Sequence, residues 1–214
     1  MLTDLRYRSN MKKLNHPVRN KLFFYNKRIF DVFISLLLLP LFFIIAIILL
    51  VLNQFYNPGK LFFVQARMGI NCKRFFVIKF RTMSHIREIT RKYDDPIEIN
   101  RITPLGKILR KMRIDELPQI LNVLKGDMSL IGPRPDYYIH ALEYLKLVKG
   151  YRERHAIRPG ITGLSQIRFG YVENLEATSK KVSIDNYYIQ NLRYTTELKI
   201  IINTILIIIK GLGK

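Results

Sequence analysis

Residues 32–52, VFISLLLLPLFFIIAIILLVL, run for 21 positions without a charged side chain. A helix of that length, rising roughly 1.5 Å per residue, just covers a bilayer core of about 30 Å. A secretory signal fits less well. The run is longer than a signal core, and NQFYNPGKLFF follows without a small-residue cleavage site. Arg19, Lys21, Lys27 and Arg28 precede it, which places that flank on the cytoplasmic side. The other flank is just as basic, in QARMGINCKRFFVIKFRTM and RITPLGKILRKMR. Pro40 sits mid-segment, where its ring removes a backbone donor and clashes with the carbonyl four residues earlier. Two topologies follow: a Pro-kinked spanning helix, or a segment that turns at Pro40 and returns to the side it entered.

Composition narrows the partners. The 36 Lys and Arg outnumber 16 Asp and Glu, a net charge of +20, which attracts nucleic acid, anionic lipid or phosphorylated substrates. With 49% hydrophobic residues, the chain is not disordered for want of apolar surface. A basic, apolar chain with 13 Phe, 12 Tyr and no Trp suits a membrane surface better than soluble nucleic-acid binding. Cys72 is the sole cysteine, which rules out an internal disulfide and a Cys-based zinc cluster.

The pattern predicts an α/β chain, mostly helical with a small β element. Residues 1–26 read as a basic arm, 27–54 as the membrane element and 55–214 as one domain. LFFVQARMG and RFFVIKFRTM read as short strands around a GINCKR turn. SHIREITRKYDDPIEINR reads as a loop. Thr103 and Pro104 announce a helix, as cap and first helical residue. Leu105, Ile108, Leu109 and Met112 continue it as an apolar stripe. Leu117, Ile120, Leu121 and Leu124 form a second stripe, stopped at Gly126. YYIHALEYLKLVKGYRERHAI predicts a helix or two, and RPGITGLSQI a loop. DNYYIQNLRYTTELKIIINTILIIIKGLGK closes the chain as a helix. Its apolar end, Ile200 to Ile209, is too short to span and suits the membrane interface.

Chemistry concentrates in RIDELPQILNVLKGDMSLIGPRP, residues 113–135. Asp115 and Glu116 are adjacent carboxylates among basic neighbours Arg110, Lys111 and Arg113, which favour ionisation. Neighbours on a helix diverge by about 100°, but near a helix start both reach one site. An ionised Asp binds a divalent cation or attacks phosphorus; the same pair also simply suits a helix dipole. In GPRP, Arg134 stands between two prolines that restrict its backbone, and a fixed guanidinium fork suits a phosphate. RPGITG repeats the idea with Arg158, a rigid turn and two glycines. Lys79 and Arg81 of KFRTM alternate onto one face of a strand. The common nucleotide loops are absent from the sequence, and His16, His85, His140 and His155 show no metal spacing.

Together, KRIFDVFISLLLLP, KFRTM, LPQILNVLKGDMSLIGPRP and RPGITGLSQI stand in the order of the bacterial sugar transferases. The chain resembles a monotopic phosphoglycosyl transferase of that family from Lys27 to Ile209. The resemblance implies an enzyme on the cytoplasmic face of the bacterial inner membrane, at the first membrane step of surface-glycan assembly. It implies transfer of a sugar-1-phosphate from a UDP-sugar to polyprenyl (undecaprenyl) phosphate, with release of UMP and with Mg²⁺ present. Mapped here, Asp115 is the nucleophile that briefly carries the sugar phosphate, and Glu116 its partner in metal placement or proton handling. Lys79, Arg81, Arg134 and Arg158 become phosphate clamps. The apolar segment becomes re-entrant, a helix-break-helix broken at Pro40. Anionic inner-leaflet lipid is an implied partner and nucleic acid is not; a homodimer is left open.

Three departures stand out. Leu39, not Ser, precedes Pro40, so no hydroxyl satisfies the backbone freed there. Leu164 follows PGITG where an aromatic is usual, and RFGYVEN replaces the usual polar motif. The competing reading is a non-catalytic, membrane-tethered basic adaptor that binds anionic lipid or nucleic acid.

Overall fold

The computed structural model describes residues 21–84, 98–169 and 175–212. Among these described residues it is mostly helical, with two small two-stranded sheets. The expected basic arm up to residue 20, most of the SHIREITRKYDDPIEINR loop and most of RFGYVEN lie outside the described residues.

Helix α1, Lys21–Tyr56, is the one helix among the described residues long and apolar enough to cross a membrane. It is continuous: Pro40 lies inside it, so the break expected there does not interrupt the helix. Its buried side chains, Phe23, Lys27, Asp31, Ser35, Phe42, Leu49 and Asn53, recur every four or seven residues and form one stripe. The stripe rests on the rest of the chain along its length. Phe23 meets Tyr194 at 4.9 Å, Lys27 pairs with Glu197, and the Leu130 amide donates to Asp31 at 3.0 Å. Further along, the Phe42 ring stacks 5.9 Å from that of Phe80. The other faces expose Phe33, Leu37, Phe43, Ile44, Ile47 and Ile48.

The expected strands form an antiparallel hairpin, β1 (Phe62–Met68) and β2 (Arg74–Phe80), paired from Phe62–Phe80 to Met68–Arg74. Helix α2, Pro104–Lys111, starts as its sequence predicts: the Thr103 hydroxyl accepts from the Gly106 amide at 3.0 Å. A 3₁₀ turn, Ile114–Glu116, leads into α3, Gln119–Lys125, which stops at Gly126 with φ +95°. Strand β3, Ser129–Ile131, pairs in parallel with β4, Gly160–Thr162, so RPGITG is partly strand rather than loop.

Helix α4 (Tyr138–Leu147) is followed by a 3₁₀ turn (Glu153–His155) and, after β4, by α5 (Leu164–Phe169). The closing helix is two helices: α6 (Leu175–Gln190) and α7 (Tyr194–Ile209). Ile200 of α7 buries against Ile131, Ile157 and Tyr188, while Leu198, Ile202, Ile205 and Ile209 stay exposed.

Strand alternation positions the first site residue. Phe75, Val77 and Lys79 share one face of β2. The first two bury against Val123 and Met128, which lays α3 across the hairpin. The Asn122 side chain clips the strand edge, accepting from the Ile78 amide (3.0 Å) and donating to the Phe76 carbonyl (2.7 Å). Lys79, next on that face, then reaches Glu116.

Candidate active site

Arg113 has φ +54°, a left-handed conformation uncommon for a residue with a Cβ. It reverses the chain after α2 and swings the turn that carries Asp115 and Glu116 into the interior. Both become buried, with 8% and 4% of their surface exposed.

The two carboxylates receive different surroundings. Glu116 gathers cations. Lys79 Nζ donates to its Oε1 at 2.9 Å, Arg134 Nη1 donates to Oε2 at 3.2 Å with Nη2 on Oε1, and Arg113 lies 3.7 Å away. Asp115 accepts no hydrogen bond from any described residue, and Lys79, Arg110 and Arg134 act on it through space. Burial pushes the Asp115 carboxyl up to about 6; neighbouring Glu116 adds to the rise, and Lys79 first among the cations opposes it. Burial also raises Glu116, but Arg134 and Lys79 outweigh it and hold its pKa well below the ordinary carboxylate range. A pair expected to ionise alike thus divides into one permanently charged anchor and one carboxylate that titrates near neutrality.

Arg134 is held by its own loop and by the other Pro/Gly motif. The Gly132 amide donates to the Thr162 carbonyl (2.9 Å), and the Gly160 amide to the Pro133 carbonyl (3.0 Å). A Cβ on Gly160 would stand 2.1 Å from the Gly132 nitrogen. The glycines of RPGITG therefore make room for the GPRP backbone; the close approach expected of them is chain against chain.

Lys79 and Arg134 are thus brought together with Asp115 and Glu116, and Arg81 and Arg158 are not. Strand β2 ends at Phe80, and the Arg81 guanidinium turns to the carbonyls of Lys60 (2.7 Å), Pro58 (2.9 Å) and Asn57 (2.5 Å). There it closes the segment linking α1 to the hairpin. Arg158 donates from Nε to the Gly126 carbonyl at 2.9 Å, at the far end of α3. Arg28 of α1 joins it there, donating to the carbonyls of Val123 (2.6 Å) and Leu124 (3.0 Å). Cations at a helix C-terminus offset its dipole. Leu164 is buried against Ile131 and Tyr188, as a core residue. His155 is buried, with Nδ1 3.1 Å from the Gly69 carbonyl, and burial lowers its pKa to about 3.

A supporting cluster went unread in the sequence. Asp136, directly after GPRP, accepts from Tyr151 (2.8 Å), Lys181 (2.5 Å) and Arg154. Arg154 also pairs with Asp185 at 2.7 Å. An acid directly after the rigid Pro-Arg-Pro was the available signal; its partners lie up to 45 residues further on.

Among the described residues, no group of three His, Cys, Asp or Glu side chains could hold a metal by itself. Magnesium, however, takes one or two carboxylates and completes its shell with water and substrate phosphates. Asp115 offers one such carboxylate, whereas both Glu116 oxygens are engaged by cations. The donor set fits a magnesium ion that arrives with a diphosphate.

The family model described as bacterial sugar transferase matches residues 22–211. The chain belongs to the bacterial sugar transferase family. It is 38% identical over 187 residues to a UDP-N-acetylgalactosamine-undecaprenyl-phosphate N-acetylgalactosaminephosphotransferase of Aeromonas hydrophila, covering 87% of this chain and 44% of that protein. It is also 38% identical over 187 residues to a UDP-glucose:undecaprenyl-phosphate glucose-1-phosphate transferase of Caulobacter vibrioides, covering 84% and 68%. An exopolysaccharide production protein of Rhizobium leguminosarum is 38% identical over 192 residues, covering 84% and 92%. The family member thus spans less than half of the Aeromonas relative and nearly all of the Rhizobium one.

Proposed function

We propose that this chain transfers a sugar-1-phosphate from a UDP-sugar to a membrane polyprenyl phosphate, releasing UMP, as an early step of surface or exopolysaccharide assembly. The observation that carries the reading is the Asp115–Glu116 turn facing Lys79 and Arg134, in a chain whose relatives bear such transferase names.

The chemistry follows from the split pair. An Asp115 oxygen attacks the β-phosphorus of the UDP-sugar. The bond from that phosphorus to the oxygen bridging the α-phosphate breaks, and UMP leaves with the electron pair. The sugar phosphate is then an acyl phosphate on Asp115. An oxygen of polyprenyl phosphate attacks the same phosphorus and frees the carboxylate, leaving polyprenyl-diphosphate-sugar. Glu116 holds the Lys79 ammonium and the Arg134 guanidinium beside Asp115, where their positive charge stabilises the phosphate oxygens of the reacting group. Magnesium, held by Asp115 and the diphosphate, would supply charge neutralisation there.

The nucleophile must be ionised, so its titration sets a pH dependence. Asp115 is protonated below about 6. UMP release, measured as kcat/KM from pH 4.5 to 8, should be level above pH 7 and fall as pH drops through about 6, approaching tenfold per unit. A profile flat down to pH 4.5 would contradict this.

Within this reading α1 lies at the cytoplasmic face of the inner membrane with both ends on one side. Its support is the docking stripe. From Phe23 to Leu49 the helix is about 39 Å long at its usual rise, and at both ends it packs on the same basic domain. An upright spanning helix would draw that domain into hydrocarbon. The exposed apolar residues of α7 add a second interfacial element. In a Cys72→Ser background, Leu22→Cys and Lys60→Cys should both resist a membrane-impermeant maleimide in intact cells and react after permeabilisation. External labelling of either flank would overturn the topology.

A further inference from the structure

The segment Pro133–Arg134–Pro135–Asp136 contains two prolines, so it has only two backbone N–H groups with which to anchor itself. It is held instead by its carbonyls, each gripped from a different direction. Pro133 accepts from the Gly160 amide at 3.0 Å, and Asp136 from the Met68 amide at 3.1 Å. Pro135 accepts from Arg67 Nη1 at 3.1 Å, and Arg134 from Arg154 Nη2 at 2.8 Å.

Arg154 differs from the other three donors. It is the one charged side chain among them with no exposed surface. It pairs with Asp185, which is 1% exposed, and with Asp136, and Lys181 completes a set of two cations and two carboxylates. Burying four charges is costly, and packed apolar side chains of similar volume commonly stabilise a fold as well or better. This set does something apolar side chains could not: it carries a guanidinium N–H to one particular carbonyl. That carbonyl belongs to the residue whose own guanidinium grips Glu116.

We propose that Arg154, fixed by Asp136 and Asp185, is a positioning residue that sets the placement of Arg134 over the Asp115–Glu116 turn. The proposal rests on the transferase reading above and assigns the residue that keeps its phosphate clamp in register. A displacement of about 1 Å in such a clamp costs up to roughly 100-fold in rate.

A double-mutant cycle tests it. Arg154→Lys keeps the charge but loses the planar fork, and should lower kcat/KM for UMP release about 10- to 100-fold. In an Arg134→Ala background the same change should cost less than about twofold, because the group it positions is gone. The pair Arg154→Met with Asp185→Leu removes one cation and one carboxylate together; it should fold with an unchanged or higher melting temperature and show the same non-additive loss. Hydrogen exchange of the Met68, Gly132 and Gly160 amides, which tie this segment to its neighbours, should quicken in both variants. Losses that multiply in the Arg134→Ala background, or full activity in the charge-free pair, would overturn the proposal. A wild-type protein that releases no UMP would remove the transferase reading instead. The exchange rates would then decide the positioning alone: unchanged rates refute it, faster rates uphold it.

Discussion

Asp115→Asn should abolish UMP release, by at least about 10³-fold as expected for loss of a covalent nucleophile, while making the folded protein more stable above pH 7. Burial raises the carboxyl to about 6 in the folded chain, against an ordinary value of 3.8. A raised pKa means that the folded state holds the proton more tightly than the unfolded one. The stability contributed is therefore complete below about pH 4 and is lost as pH rises through 6. At pH 7 the folded protein carries a charge that the unfolded chain carries more cheaply, and the neutral amide removes that penalty, of order 1–3 kcal/mol. Two measurements check it. Radiolabelled UDP-sugar with magnesium and no acceptor should leave label on denatured wild type and none on the variant. Thermal melts at pH 3.5 and pH 8 should show the variant's advantage almost wholly at the higher pH. Wild-type labelling of the variant would take the nucleophile's role from Asp115.

Gly160→Ala should be among the most damaging single changes in the chain. The added methyl would meet the Gly132 nitrogen at 2.1 Å and the Thr162 carbonyl at 2.5 Å, both backbone atoms that no rotamer change can move. The β3–β4 pairing must open or the variant must misfold, at about 3 kcal/mol or more, which for a chain of this size lowers the melting temperature by roughly 6–12 °C. Gly126→Ala is the comparison. Its methyl meets only an Arg28 nitrogen at 3.8 Å, so the left-handed φ is the whole cost, about 1 kcal/mol. Equal melting temperatures for the two variants would mean that the Gly132–Gly160 contact does not hold the Arg134 loop.

Local chemistry was legible in the residues. Thr103 and Pro104 start α2 where their types predict, and Gly126 stops α3. Lys79 reaches the site because period-two alternation carries it there. What escaped was set by distance along the chain or by where an element stops. Arg81 would have shared the face of Lys79 had β2 run one residue further; past the strand end its side chain found carbonyls instead. The glycines of RPGITG advertised close approach without naming the partner, which proved to be GPRP. The apolar spacing of the last thirty residues hid the stop between Gln190 and Tyr194. No pattern links Asp136 to Arg154 and Asp185, because no periodic element joins them.

The underside of α1 carries Lys27, Asp31, Ser35 and Asn53, an odd choice for a helix otherwise suited to hydrocarbon. Peeling it away would cost Lys27 its Glu197 partner and Asp31 its bond to the Leu130 amide, so the docked helix is held to the domain by buried polar contacts as well as apolar ones. The Asp31 bond to Leu130 lies two residues from Gly132. Under the proposed topology, the depth at which this helix settles in the lipid passes through Asp31 to the Arg134 loop, and the height of Asp115 above the headgroups is built in rather than adjusted at each turnover.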